Sequence, residues 1–326
     1  MGNSALRELA VIEDIQFADL DGAVVAVDAH NWLYRYLTTT VRWTDTDAYT
    51  APDGTEVPNL IGIVRGLPKF FEHGLKPIFV FDGTVTELKE DEIDERREAR
   101  NAAASAMEEA REAGNELEAA RLESQAQRLT PAIQTTTREL FDILDIPMIE
   151  APTEGEAQAA HMAREGHVDY VGTEDYDSLL FGAPHTLRQL TSKGNPERMD
   201  FEATLEHHGI THAQLVDIAL LIGTDFNEGV SGYGPKTALS SIKEHGTLET
   251  VLDTEGVSIP EAPRLKELFL EPTVTDDYTI QTRSDPDIAA ARTYLTRTWS
   301  IPEDTIATGL ERLENAIEQT GLDQWS

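Results

Sequence analysis

Cysteine is absent from this chain of 326 residues. Without thiols the protein has no disulfide bond, no thiolate zinc site and no cysteine nucleophile. The absence also suits a reducing interior. Any catalysis must therefore depend on oxygen or imidazole groups.

Basic residues are scarce, because 26 Lys and Arg stand against 60 Asp and Glu, which gives a net charge of −34 and a pI near 4.4. The acidic excess is spread through the chain and does not form a tail. This pattern is typical of a surface adapted to high salt, where the Debye length is only ~3 Å at 1 M. Under such screening local cation geometry dominates at contact range, so the total charge does not exclude a nucleic-acid partner.

Long hydrophobic runs are also lacking, and the N-terminus has no signal-peptide pattern. Apolar residues still make up 40% of the chain, enough for a sizeable core in one large or two modest domains. We expect a cytoplasmic protein that acts as a monomer.

Strand-like and helix-like segments alternate along the chain. GAVVAVD, KPIFVFDG, VDYVGTED and TLRQLT are typical of short buried strands. Helical patterns lie between them in NWLYRYL, NLIGIVRGLPKFFEHG, residues 131–146 and GEAQAAHMAREG. The alternation predicts an α/β fold with a mostly parallel central sheet flanked by helices, in which ligands bind beyond the carboxyl ends of the strands.

Seven acidic residues stand where predicted strands or turns end. They are Asp28, Asp82, Glu154, Glu156, Asp175, Asp177 and Asp225. Carboxylate oxygens suit Mg²⁺ or Mn²⁺, and a dense cluster of them needs cations to neutralise it. Two such ions close together are the usual apparatus for hydrolysing a phosphodiester.

Several of these acids also have a local structural explanation. Asp28 could cap the following helix, and Asp82 precedes a glycine as in ordinary turns. Thr153 and Glu156 match a capping box, and Asp177 could cap the residues after it. Taken singly, these explanations are favoured, whereas gathering at one sheet edge favours a metal site.

Residues 87–128 differ from their surroundings, since they combine many charges and alanines with no aromatic residue and no proline. The pattern predicts exposed helices that project from the body. Lys89, Arg96 and Arg100 fall on one helical face. This face could be a basic stripe, or a solvated surface with ion pairs inside the helix.

Five ordered motifs resemble the flap endonuclease family of structure-specific 5′-nucleases, of the archaeal type. They are VVAVDAHNWLYRYL, then PIFVFDG followed by LK and ERR, then APTEGEAQAA, GTEDYDSLLFG and LIGTDFNEGVSGYGPKTAL. The resemblance covers almost the entire chain. It implies a metal-dependent phosphodiesterase that cleaves branched DNA near the junction of single and double strands. It further implies a role in Okazaki-fragment maturation and repair, with 5′–3′ exonuclease activity.

The resemblance also implies residue roles. All seven acids match the family's metal-site positions, with two Mg²⁺ per site and Mn²⁺ as a substitute. The direct ligands would be Asp82, Glu154, Glu156, Asp175 and Asp177, whereas Asp28 and Asp225 could act through bound water. Lys89 and Arg96 match catalytic basic residues of a helical gateway, and Arg100 would add a DNA contact there. Tyr34 matches an aromatic residue on which a base stacks, and Gly2 would bring the amino terminus near the metals.

A glycine-rich loop, residues 229–236, opens a helix whose first-turn proline is Pro235. Gly232, Gly234 and Lys236 could donate to a DNA phosphate. The resemblance implies a helix-two-turn-helix that grips duplex DNA with K⁺ between loop and phosphate. A helix-turn-helix with a glycine connector is the alternative for this loop. The alternative for Tyr34 is that Trp32, Tyr34 and Tyr36 are half core and half surface, with no role in DNA binding.

The last eight residues resemble the peptide that binds a replicative sliding clamp of the PCNA type. Gln319, Leu322 and Trp325 fall at matching positions, whereas Ser326 replaces the second aromatic residue. A frayed terminus is the alternative. We thus expect a nuclease domain at 1–317, with the gateway at about 84–130 and the helix-two-turn-helix at about 215–245, and a clamp-binding tail at 318–326.

Three other functions compete with flap cleavage. A repair or junction-resolving nuclease of the same superfamily would carry similar motifs. A non-catalytic DNA-junction protein that recruits the clamp would not need concentrated negative charge near phosphates. A phosphohydrolase that acts on other substrates would not need Tyr34, the phosphate loop or the tail.

Overall fold

A computed structural model describes residues 4–83, 130–192, 194–281 and 285–323. Gly2, Lys89, Arg96, Arg100 and Trp325 lie outside the described residues, and so does nearly all of the predicted gateway. No helix in the described ranges is long and apolar enough to cross a membrane.

One seven-stranded sheet forms the centre of the fold. Its strands are β1 (Val11–Asp14), β2 (Val24–Asp28), β3 (Lys76–Phe81), β4 (Met148–Glu150), β5 (Tyr170–Gly172), β6 (His185–Arg188) and β7 (Glu197–Asp200), in the spatial order β1-β7-β6-β5-β2-β3-β4. The five strands from β6 to β4 run parallel, and β7 is antiparallel to both β6 and β1. The predicted α/β fold with a mostly parallel sheet is confirmed.

Twelve α-helices are found in the described residues. They are α1 (Ala29–Trp43), α2 (Pro58–Gly66), α3 (Pro68–Glu72), α4 (Pro131–Ile143), α5 (Gly155–Arg164), α6 (Phe201–His208), α7 (His212–Ile222), α8 (Pro235–His245), α9 (Leu248–Glu255), α10 (Ala262–Leu270), α11 (Ile288–Thr293) and α12 (Glu303–Asp323). The single helical pattern expected after residue 58 is two helices, because Pro68 lacks the N–H that would continue α2 and instead opens α3.

The sheet separates two hydrophobic cores, since its central strands are buried on both faces. Ala26 and Val80 face the core that α5, α7 and α8 cover, whereas Val27 and Phe79 face the core of α1, α2, α4 and α12. Continuous apolar runs are what a parallel sheet covered on both sides requires. This arrangement places the first turns of α1 and α5 at the carboxyl edge of the strands.

The C-terminal helix α12 packs closely on α2. A Cβ atom on Gly309 would lie 2.5 Å from Val64 Cγ1, so only glycine allows this approach. Arg312 also makes two hydrogen bonds of 2.8 Å to Glu72 on α3. The helix continues to Asp323 without a break at the division expected between 317 and 318, so the tail begins inside a helix. The division itself stays a prediction.

Candidate metal centre

Asp28 ends β2 and also caps α1. Its Oδ1 accepts a hydrogen bond from the main-chain N–H of Asn31 at 3.0 Å, which confirms the capping hypothesis. The residue is nevertheless only 7% exposed, and its Oδ2 lies 3.5 Å from Thr173 Oγ1. One capping bond leaves the other carboxylate oxygen available for the site.

Glu156 lies in the first turn of α5. Its Oε1 accepts a hydrogen bond of 2.8 Å from Thr173 Oγ1, the same hydroxyl that lies near Asp28. The capping box predicted with Thr153 is wrong, because α5 begins after Glu154 and Thr153 Oγ1 donates to the main-chain oxygen of Thr273. A tertiary contact thus competes successfully with the local motif.

Asp175 comes from the loop after β5. Its Oδ2 accepts a hydrogen bond of 2.9 Å from Asn31 Nδ2, and its N–H donates to Thr173 Oγ1. Asp28, Glu156 and Asp175 each place one carboxylate oxygen within 4.8 Å of those of the other two. Three acids from three separate elements therefore meet at the carboxyl edge of the sheet.

Burial and nearby negative charge raise the pKa of two carboxylates in this cluster, Asp28 and Glu156. Burial, followed by the negative charge of Asp82, raises the pKa of Asp28 to about 7. Burial raises the pKa of Glu156 well above its ordinary value, and the charges of Asp175, Asp28 and Asp177 add to that shift. A divalent cation would remove this repulsion, and an all-oxygen donor set fits Mg²⁺ or Mn²⁺.

Asp82 stands one residue beyond β3 and is fixed at both oxygens. Its Oδ1 accepts a hydrogen bond of 2.7 Å from the N–H of Gly155, and its Oδ2 lies 3.0 Å from His30 Nδ1. Burial alone would lower the pKa of His30, but hydrogen bonding to Asp82 and the charges of Asp82 and Asp28 outweigh it, so this pKa is raised. The negative charge of Asp82 thus acts on Asp28, although Asp82 is not one of the three clustered acids.

The other three predicted acids occupy different positions. Glu154 directly precedes α5, and Asp177 begins a short 3-10 helix, Asp177–Leu179, where it is 5% exposed. Asp177 contributes to the raised pKa of Glu156. Asp225 lies in the turn 224–227 after α7. That these three bind metal stays a prediction.

Asn31 and Thr173 are site residues that the sequence analysis missed. The Asn31 side chain donates to Asp175 and accepts from the N–H of Glu174, while Thr173 contacts Asp28, Glu156 and Asp175. Asn31 does share the first turn of α1 with Asp28, which is the only sequence signal for its role. These two neutral residues link the clustered acids to one another through hydrogen bonds.

The predicted DNA-binding residues have defined positions in the fold. Tyr34 is half-buried on α1, beside the buried Trp32, so the partition of this helix into core and surface is confirmed. Gly232 has a φ of 89°, Gly234 is the N-cap of α8, and Lys236 is its second residue. Helices α7 and α8 flank this loop, an arrangement that fits both the helix-two-turn-helix and the simpler helix-turn-helix. Contact with DNA stays a prediction for all four residues.

The sequence matches two family models, the XPG N-terminal domain at residues 3–103 and the XPG I-region at residues 145–225. It is 60% identical to Flap endonuclease 1 of Haloarcula marismortui, over 100% of each chain, and equally identical to that of Halobacterium salinarum over 100% of each. Both relatives come from halophilic archaea, in keeping with the acidic composition.

The fold matches the solved flap endonuclease of Methanococcus jannaschii with a TM-score of 0.75 and 33% identity, covering 97% of this chain and 99% of that one. The catalytic core of Rad2 in complex with DNA substrate matches with a TM-score of 0.70 over 94% of this chain and 97% of that one, and at 22% identity this likeness shows the fold alone. By sequence and fold over its whole length, this chain belongs to the flap endonuclease family of XPG nucleases.

Proposed function

We infer that the cluster of Asp28, Glu156 and Asp175 is the catalytic metal centre of this enzyme. The chain is a 5′ flap endonuclease, a metal-dependent phosphodiester hydrolase of DNA replication and repair that acts on branched DNA. The observation that carries the assignment is the convergence of three carboxylates to within 4.8 Å from β2, α5 and the loop after β5.

The residues of the centre fit two Mg²⁺ ions, with Mn²⁺ able to replace them. Divalent ions bound there would supply a hydroxide nucleophile at neutral pH and neutralise charge on the leaving oxygen. Asp28, Glu156 and Asp175 would hold the ions, and Asp82, Glu154, Asp177 and Asp225 would complete the two coordination shells. Asn31 and Thr173 keep the three clustered carboxylates in place through hydrogen bonds.

Two surfaces would hold the DNA. Tyr34 would stack on a base beside the scissile phosphate, where stacking contributes ~1–3 kcal/mol per base. The N-terminus of α8, with Gly232, Gly234 and Lys236, would bind a phosphate of the uncut duplex together with K⁺. The helix start that follows Gly234 and the exposed Lys236 in its first turn support this assignment.

The roles that we propose for the gateway and the amino terminus rest on the sequence alone. Lys89 and Arg96 would contact the scissile phosphate and offset charge in the transition state. Arg100 would bind DNA from the same helical face, and Gly2 would lie near the metals. The same centre would also support 5′–3′ exonuclease activity.

The C-terminal residues would bind the sliding clamp. Gln319 and Leu322 lie in α12, so the peptide would begin on a helix that is already formed. Trp325 would supply the aromatic anchor. The enzyme would act as a monomer and gain its access to DNA ends from the clamp.

A cleavage assay at molar KCl tests the metal centre. With Mg²⁺ the protein should cut a double-flap DNA near the flap base, and should cut it faster than matched single-stranded and duplex controls. Asp175→Asn should abolish cutting and keep DNA binding, whereas Asp14→Asn, which removes an exposed acid at the end of β1, should cut normally. Cutting by Asp175→Asn at the normal rate would refute the assignment. Junction binding by the native protein without cutting would favour the non-catalytic alternative.

A further inference from the structure

Glu174, the residue before Asp175, is held at all of its polar groups. Its N–H donates to Asn31 Oδ1 at 3.2 Å, and its main-chain oxygen accepts from Arg188 Nε and Nη2 at 3.2 and 3.0 Å. Its carboxylate accepts from the N–H of Gln189 at 3.0 Å. The backbone that carries Asp175 is therefore fixed from its N-terminal side.

Tyr176, the residue after Asp175, is held by two arginines. Arg7 Nη1 donates to its hydroxyl at 2.7 Å, and the guanidinium of Arg188 lies 3.9 Å from the centre of its ring. The tyrosine is only 5% exposed. Arg188 thus contacts the residues on both sides of Asp175.

Glu197 joins the two arginines. It is directly opposite Arg188 in the pairing of β6 with β7, and it accepts one hydrogen bond of 2.9 Å from Arg188 and two, of 2.9 and 3.1 Å, from Arg7. Hydrogen bonding from Arg7 lowers the pKa of Glu197, which keeps its carboxylate ionised. The three side chains form one connected ionic group that contacts the residues on either side of Asp175.

Stability alone is a weak explanation for this group. Arg188 and Glu197 are 8% and 6% exposed, and the loss of hydration on burying such charges offsets most of their attraction. Beyond Glu197, Arg7 Nη1 donates to the Tyr176 hydroxyl, and Arg188 Nε and Nη2 donate to the main-chain oxygen of Glu174, both in the loop 174–177. The group is built around that loop.

We propose that Arg7, Arg188 and Glu197 are positioning residues that hold the loop 174–177 so that Asp175 faces Asp28 and Glu156. The assignment rests on the metal centre proposed above and extends it. Because Arg7 belongs to the first described helix, Ser4–Glu8, the group ties the beginning of the chain to a metal ligand 168 positions later. The affinity for metal then depends on a half-exposed arginine that does not reach the metal.

Direct Mn²⁺ binding to the DNA-free protein, followed by electron paramagnetic resonance at molar KCl, tests the proposal. Tyr176→Phe removes only the hydroxyl that Arg7 contacts and changes no charge. We expect Tyr176→Phe and Arg7→Ala each to weaken Mn²⁺ binding by ~10-fold, at the low end for residues that orient metal ligands. The double variant should bind no more weakly than Arg7→Ala, since both changes break the same hydrogen bond.

The sign of the Arg7→Ala effect separates positioning from simple electrostatics. Removing a positive charge near a cation site strengthens cation binding if charge alone matters. Tighter binding, or unchanged binding in both variants, would overturn the proposal. Excess Mg²⁺ should restore cleavage by Tyr176→Phe, because this variant keeps all of the carboxylates that would bind the metal.

Two further variants serve as controls. Arg198→Ala removes a cation from β7, the strand of Glu197, but Arg198 pairs with Glu13 and not with the loop 174–177. This variant should leave Mn²⁺ affinity unchanged. A loss of affinity as large as that of Arg7→Ala would attribute the effect to protein stability. Asp175→Asn should abolish tight Mn²⁺ binding. If Asp175→Asn binds Mn²⁺ normally, the assignment of the metal centre is wrong. If Asp175→Asn loses Mn²⁺ binding while Arg7→Ala and Tyr176→Phe bind normally, only the positioning role of the ionic group is wrong.

Discussion

The side-chain amide of Asn31 donates to Asp175 Oδ2 at 2.9 Å, which joins the first turn of α1 to the loop after β5. The same side chain accepts from the N–H of Glu174, so it fixes both the backbone and the carboxylate of the loop. A neutral residue thus sets the distance between acids that repel each other.

Replacing Asn31 should weaken the metal centre without removing an acid. Asn31→Leu keeps a similar volume but loses both hydrogen bonds, so we expect a rate of flap cleavage ~10-fold lower at limiting Mg²⁺. Titration of Mg²⁺ in the cleavage assay should show a higher half-saturation concentration. An unchanged Mg²⁺ dependence would contradict a positioning role for Asn31.

Removal of one buried carboxylate should stabilise the metal-free protein. Glu156→Gln relieves repulsion with Asp28 and Asp175, and we expect the unfolding temperature in EDTA to rise by about 2 °C. The increase in unfolding temperature that Mg²⁺ produces in the native protein should be lost. Differential scanning calorimetry with and without Mg²⁺ measures both, and a lower unfolding temperature in EDTA would count against mutual repulsion.

Gly155 allows α5 to approach Asp82. A Cβ atom there would lie 2.9 Å from Asp82 Oδ1 and 3.2 Å from the main-chain oxygen of Val80. Gly155→Ala should therefore displace the Asp82 carboxylate and lower Mg²⁺ affinity, although alanine is the better helix former. Calorimetric titration with Mg²⁺ measures this, and normal affinity would show that Asp82 does not need this contact.

His212 should make stability depend on pH. Burial lowers the pKa of His212, and its Nε2 lies 2.7 Å from the main-chain oxygen of Leu180. Since the unfolded chain binds this proton more readily, the folded state should lose stability as pH falls below about 6.5. His212→Gln should lose less free energy of unfolding than the native protein between pH 7 and 5, as measured by urea titration. Equal losses would exclude His212 as the cause.

Deleting residues 319–326 should separate clamp binding from catalysis. The metal centre lies on other elements, so the truncated enzyme should cut flaps at its normal basal rate. Stimulation by the sliding clamp should fall, because Gln319, Leu322 and Trp325 are removed. Full stimulation of the truncated enzyme would place the clamp contact elsewhere.

The gathering of acids at one edge could be predicted from the sequence, because the carboxyl ends of parallel strands lie at the same edge of a sheet. Asp28 and Asp175 follow neighbouring strands, so their approach needed only the sheet order. The roles of Asn31, His30 and Thr173 could not be predicted, since hydrogen bonds between separate elements leave no periodic signal. The capping box failed for the same reason, because Thr153 bonds to a residue 120 positions away.

Strands β1, β4 and β7 also escaped prediction. Each has only three or four residues, and the edge strand β1 carries charges that are typical of a sheet margin. Their place is set by pairing partners and not by their own apolar pattern.

Of the three clustered acids, Asp28 is synthesised well before Glu156 and Asp175. Strand β2 lies between β3 and β5, yet the residues of β5 are synthesised long after those of β2. A nascent chain that ends before β5 therefore carries Asp28 but no Asp175, and β2 has an open edge. On the proposed assignment such a chain lacks one of the three clustered carboxylates, so we expect it not to cut DNA.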